Sequence, residues 1–245
     1  MVELKNIIAL FSLFYITTGF PQEIKKCKIS DEVCLVKIAN EMIRSNEMSK
    51  KIGLNEVDPL LIKKMDIEQG GNASVTINLK FRNVNLNGLA KSEVYKITGF
   101  KEDPDKNKLE IKFKAPLGTI QGPYQINGKI LVLPIQGKGN VTLNLENLDI
   151  SLKFLTTKVE RDGKIYMHIE RSKFSYDVTG ANVNFTNLFN GDKALGDNMN
   201  AFLNINWRIL LDELKKPINT SFAEVFKNLL NNMFEKTPYN EFFEK

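Results

Sequence analysis

Residues 195–236 read LGDNMNAFLNINWRILLDELKKPINTSFAEVFKNLLNNMFEK. Apolar side chains recur at Leu195, Met199, Phe202, Leu203, Trp207, Leu210, Leu214, Ile218, Phe222, Val225, Phe226, Leu229 and Met233, mostly three or four apart. That period is one face of an α-helix. Asp197, Asn200, Asn204, Arg208, Asp212, Lys215 and Asn219 make a polar stripe on the opposite side. At ~1.5 Å per residue the segment would reach roughly 60 Å, about twice the width of a small domain. Such a rod cannot bury its own apolar face, so a long apolar surface must wrap along it. Pro217 lacks the amide that would bond the carbonyl of Glu213. Because the stripe keeps its phase across Pro217, we expect one rod kinked there, at a cost of about 3 kcal/mol.

Upstream the period changes to two. Val75, Ile77, Leu79 and Phe81 alternate with polar residues, as a half-buried strand requires. The alternation returns at Leu109–Phe113, Leu131–Leu133–Ile135, Val141–Leu143–Leu145, Ile150–Phe154, Ile165–Ile169 and Phe174–Val178. Asn127-Gly128 and Asp162-Gly163 are hairpin-turn dipeptides, and Pro104-Asp105 a looser turn. Pro134 and Gly137-Lys138-Gly139 suit a bulge or bend that curls a sheet. Strands first and the long helix last argue for an α+β fold, a curved antiparallel sheet packed around the kinked rod. A shorter helix is expected from an N-cap at Ser30, through Leu35, Ile38, Ala39, Met42 and Ile43, to about Asn46.

The first residues have the pattern of a secretory signal: Lys5, an apolar run from Ile7 to Ile16, then Thr17-Thr18-Gly19. We expect residues 1–19 to be removed, leaving 20–245 as a single exported domain. Cys27 and Cys34, the two cysteines, then read as one disulfide formed in an oxidising compartment. The sequon asparagines Asn72, Asn140, Asn184 and Asn219 are compatible with that route.

The net charge of +5 comes from basic residues dispersed along the chain, which argues for a solvated surface and against nucleic acid. Weak attraction to anionic membrane surfaces remains compatible with it. The lone histidine, His168, is out of phase with Ile165, Met167 and Ile169 and reads as a surface or rim residue. No G-x-S-x-G, H-E-x-x-H, P-loop or C-x-x-C motif occurs, and a zinc site would lack ligands. We expect no catalysis, no metal and no cofactor.

Several segments together resemble the takeout and juvenile-hormone-binding-protein (JHBP) family of arthropod secreted proteins, the takeout branch in particular. They are Cys27-x6-Cys34, the passage from Gly53-Leu54 to Val57-Asp58-Pro59-Leu60, Asn83 to Leu89, Tyr124 to Gly128, Leu131 to Gly139, Asn187 to Asp192, Leu195-Gly196, Asn204-Ile205-Asn206-Trp207 and Pro238-Tyr239-x3-Phe243. The chain departs from the family pattern at Gly53-Leu54-Asn55, where Gly-Ile-Pro is common. The resemblance implies a TULIP-like super-roll, a long helix inside a strongly curved sheet with an apolar tunnel between them. It also implies a monomeric haemolymph carrier of a small lipophilic molecule such as a terpenoid hormone or pheromone. The expected wall residues are Phe202, Trp207, Leu210, Leu214, Phe222, Val225, Phe226 and Leu229 on the rod. On the sheet they are Val75, Ile77, Leu79, Phe81, Leu133, Leu143 and Leu145, with Ile38, Met42 and Ile52 closing one end. A lipid-transfer or lipopolysaccharide-binding protein working at membrane surfaces is the alternative.

Overall fold

The computed structural model describes residues 21 and 23–244, apart from 55 and 72. The expected signal segment and Asn72 lie outside the described residues. One antiparallel sheet contains β1 (Leu60–Gln69), β2 (Val75–Asn87), β3 (Glu93–Thr98), β4 (Lys108–Ile130), β5 (Leu133–Arg161), β6 (Lys164–Asp177) and β7 (Gly180–Phe185). The order is β1-β2-β4-β5-β6; β3 continues beside β4 beyond β2, and β7 beside β5 beyond β6.

β4 and β5 are the spine of the sheet, keeping one register from Lys108 opposite Leu155 to Ile130 opposite Leu133. The bend expected at Pro134 and the following glycines is therefore absent from this pair; Pro134 lies opposite Lys129 without a break. The glycines admit a crossing chain instead. A Cβ on Gly139 would lie 2.4 Å from the Thr186 carbonyl oxygen, and one on Gly137 would lie 2.8 Å from the Tyr124 hydroxyl. Curvature comes from bulges that put one extra residue into β2 between Phe81 and Asn85, into β3 between Val94 and Lys96, and into β6 opposite Leu155 and Thr156.

Asp162-Gly163 turns as expected, with φ of 50° and 70°. Asn127-Gly128 does not. Gly128 lies inside β4, between Ile77 of β2 and Ile135 of β5, and the chain reverses at Leu131-Val132. Extending β4 buries Ile126 and Ile130 against the rest of the sheet. That burial outweighs the local turn preference.

The first helix, α1 (Glu32–Arg44), begins one residue later than expected. Its cap is Asp31, whose Oδ1 accepts from Cys34 N at 2.9 Å. The Cys27–Cys34 disulfide is formed, and a short α2 (Asn46–Lys51) follows α1. The C-terminal rod is three helices in series, α3 (Lys193–Ile205), α4 (Trp207–Glu213) and α5 (Lys215–Phe234), so the single kink at Pro217 gives way to two bends, at Asn206 and Leu214. Pro217 is the third residue of α5, and its missing bond to Glu213 places the bend upstream, at Leu214. At Asn206 the side chain donates to Phe202 O at 2.8 Å, in competition with the regular backbone bond to the same carbonyl. The inner face of the rod lies along the sheet, with Phe174 of β6 stacked on Phe222 at 5.2 Å and on Phe226 at 5.9 Å.

Part of the polar stripe turns out not to face water. Val183 N and Phe185 N of the edge strand β7 donate to Asn204 Oδ1 at 2.7 Å and Asn200 Oδ1 at 2.9 Å. In return Asn204 Nδ2 donates to the carbonyl of Val183 and Asn200 Nδ2 to that of Phe185. Each asparagine presents one acceptor and one donor, as a neighbouring strand would, and so closes a sheet edge. Asn40 of α1 does the same for Val94 of β3.

Candidate functional site: two apolar chambers

Two chambers open between the rod and the sheet. The first, about 170 Å³, runs from Val75, Ile130 and Ile135 at one end to Tyr176, Trp207 and Leu214 at the other. The second, about 210 Å³, lies between α1, β3 and the C-terminal segment, among Ile38, Met42, Ile97, Phe100, Leu230 and Phe242. Leu89, Phe113 and Phe226 line both. Phe113 and Phe226 meet edge-on, ring centres 6.1 Å apart, and thus form the partition.

Each chamber exceeds ten times the ~10–15 Å³ that one water requires, yet the walls give water almost nothing to bond. With no partner atoms across the gap, the lining side chains forgo dispersion contacts that a packed core would give them. An oily guest would recover much of that.

The polar groups near the first chamber are mostly spoken for. Asn204 spends both amide groups on Val183. Tyr176 differs. It is 7% exposed, lines the chamber, and its hydroxyl is enclosed without a hydrogen-bond partner among the described residues. Burial, then the charges of Asp212 and Asp177, push its phenol up to about 12. It therefore stays a neutral donor at physiological pH. Tyr124, also raised to about 12 by burial, donates to Thr186 O at 2.7 Å and is thus occupied.

Charged groups sit on the outer face. The Glu110 carboxyl is held below the ordinary carboxylate range by its bond to Lys96 at 2.6 Å, with Lys112 and Lys153 adding to the effect. Arg82, then Lys64, do the same for Asp66. His168 is a rim residue 2.5 Å from Glu235, consistent with its position in the pattern. Among the described residues no group of three or more His, Cys, Asp or Glu is placed to hold a metal, and no helix is long and apolar enough to cross a membrane.

Most of the expected wall residues are brought together. Val75, Ile77, Leu79, Phe81, Leu143, Leu145, Trp207, Leu210, Leu214, Phe222 and Phe226 line the first chamber, and Ile38, Met42, Phe226 and Leu229 the second. Four stand elsewhere. Ile52 packs solidly in the N-terminal cluster, and Leu133, 39% exposed, lies past the end of the chamber. Phe202 and Val225 are half-buried against the core beside the chamber-facing positions. Of the sequon asparagines, Asn140 and Asn184 are exposed, whereas Asn219 is half-buried with its side-chain oxygen enclosed.

The alternation missed Met65 and Ile67 of β1, which also line the first chamber. In β1 the buried positions are Leu60 and Ile62, then Met65 and Ile67, a change of phase at Lys63-Lys64. The facing strand slips in step, from Phe81 to Val84, because Asn83 at φ 52° carries the bulge. A pair of lysines in the middle of an apolar alternation, facing a bulge, was the available signal.

A helical rod sheathed by a curled sheet, with oily chambers between, defines an α+β fold built around an internal apolar space. The chain belongs to the haemolymph juvenile hormone binding protein (JHBP) family, whose sequence model matches residues 7–244. The circadian clock-controlled protein daywake of Drosophila melanogaster is 31% identical over 236 residues, covering 93% of this chain and 89% of that protein. Its Drosophila yakuba counterpart is 30% identical over 233 residues, with 92% and 89% covered. The crystal structure of Epiphyas postvittana Takeout 1 shares the fold, with a TM-score of 0.73 and 24% identity over 91% of this chain and 100% of that one. The resemblance to the takeout and JHBP family is thereby borne out.

Proposed function

We propose that this protein is a secreted, non-enzymatic carrier of one small lipophilic molecule, of the juvenile-hormone-like terpenoid, pheromone or lipid type. The observation that carries this reading is the pair of chambers walled by side chains that cannot satisfy water. Membership of a family described as hormone-binding supports it, and the disulfide supports an oxidising, extracellular setting. The apolar body of the guest lies against Leu79, Phe81, Leu210 and Phe222, and the Tyr176 hydroxyl donates to a carbonyl or other acceptor at its polar end.

Native mass spectrometry of protein secreted from eukaryotic cells tests this, with extraction of whatever co-purifies. A bound lipid at one per chain, released by organic solvent, is the expected result. A protein that emerges empty and refuses every apolar probe offered would overturn the reading.

A further inference from the structure

The β4–β5 hairpin ends in an apolar point. Leu131 is 49% exposed, Val132 82% and Leu133 39%, and Pro134 beside them is exposed as well. A two-residue reversal normally takes glycine, asparagine or aspartate, whose side chains tolerate a positive φ. Here Leu131 sits at φ 56°, although an Asn-Gly pair stands three residues upstream. Leu131 N donates to Ser74 O at 2.7 Å, which fixes the point against the β1–β2 connection. The strained, apolar choice gains nothing in the core.

Charge distribution adds a second observation. Residues 111–145, nearly all of β4, the turn and the first part of β5, contain no aspartate or glutamate. Lys129 and Lys138 flank the point, both exposed, and neither forms an ion pair among the described residues. A third observation links the point to the interior. Ile130 and Ile135, immediately next to the exposed residues, are buried and line the end of the first chamber.

We infer that the Leu131-Val132-Leu133-Pro134 turn inserts into an anionic lipid bilayer and that guests pass between bilayer and first chamber at this end. The loading step rests on the carrier reading; the docking does not. A protein partner fits the observations less well, because a stable interface takes about 800 Å² per side and a narrow convex turn does not offer it. A bilayer asks only for apolar side chains at the point and cations at its shoulders.

The test is flotation of the intact protein with vesicles of equal parts phosphatidylcholine and phosphatidylserine. The wild type is expected to float at low salt and to be released as salt rises. Val132→Asp should lower the bound fraction about tenfold or more with an unchanged circular dichroism melt. Ile205→Asp/Ile209→Asp, which alters exposed apolar residues on the rod, should float like wild type. A wild type that does not float, a Val132→Asp that floats equally, or loss of flotation through Ile205 and Ile209 overturns the docking. The fluorescent probe N-phenyl-1-naphthylamine tests loading separately. Val132→Asp should bind probe added from ethanol as wild type does, but take it up from vesicles more slowly. Equal uptake rates overturn the loading route. If neither protein binds the probe while tip-dependent flotation persists, the carrier reading fails and the docking stands.

Discussion

Asn231 of α5 completes the hydrogen bonding of Ile169 in β6: Ile169 N donates to its Oδ1 at 2.7 Å, and its Nδ2 donates to Ile169 O at 3.1 Å. Asn231 is 9% exposed and Ile169 fully buried. A side-chain amide here substitutes for a strand that the sheet does not have. Asn231→Leu leaves a donor and an acceptor unpaired in the interior, at about 1–3 kcal/mol each. We expect the urea midpoint to fall accordingly. Asn200→Leu, at a half-buried edge that water can reach, should cost clearly less.

Tyr176→Phe removes an enclosed hydroxyl that bonds nothing among the described residues. Stability should hold or rise, since a buried unsatisfied group is lost. If the phenol anchors the guest's polar end, affinity for a long-chain methyl ketone should drop about tenfold while that for a hydrocarbon of equal length is unchanged. Equal changes for both probes, measured by calorimetry, would remove Tyr176 from the site.

Phe226 closes the partition with Phe113 and also stacks on Phe174. Phe226→Ala joins the chambers and should cost about 3–5 kcal/mol of stability. The variant is expected to shift its preference toward longer acyl chains, read from competition between short and long fatty alcohols. A preference that stays put would mean that the rings already swing aside in the wild type.

Alkali should unlock the fold. The phenols of Tyr124 and Tyr176 rise from an ordinary 10.0 to about 12, and burial pushes Tyr239 up as well. A raised folded-state value favours the protonated form in the fold. The associated stability is therefore complete below pH 10 and is lost as pH climbs through 12. Phenolate absorbance at 295 nm should show Tyr124, Tyr176 and Tyr239 ionising together with the unfolding step.

Much of this was legible before any coordinates. The helical stripe from Leu195 onward and the alternation at Val75 to Phe81 each describe one buried face, and burial is what decided those elements. What escaped depended on partners distant in sequence. The β1 phase slip answers Asn83 on another strand, and the asparagines of the polar stripe are polar for the sake of β7, not of water. Pro217 did mark a break, but the bend falls where its clash with the preceding turn is relieved. The chamber walls were largely recoverable because they share their apolar face with the core. The partition was not, since nothing local distinguishes Phe113 from any other buried phenylalanine.

The unused Asn127-Gly128 pair has a consequence for how the chain reaches this structure. A hairpin reversing there would set Ile126 opposite Lys129, with Leu131, Leu133 and Ile135 opposite Tyr124, Gly122 and Ile120. Ile130 would turn outward opposite Gln125, but Leu131, Leu133 and Ile135 would still point inward, so periodicity alone rejects the slipped arrangement only in part. Lys129 adds to the cost: its ammonium would be driven onto the inner wall, away from water. One lysine thus acts as a proofreader during folding, and Lys129→Leu should populate a misaligned, slowly escaping species visible as an extra refolding phase.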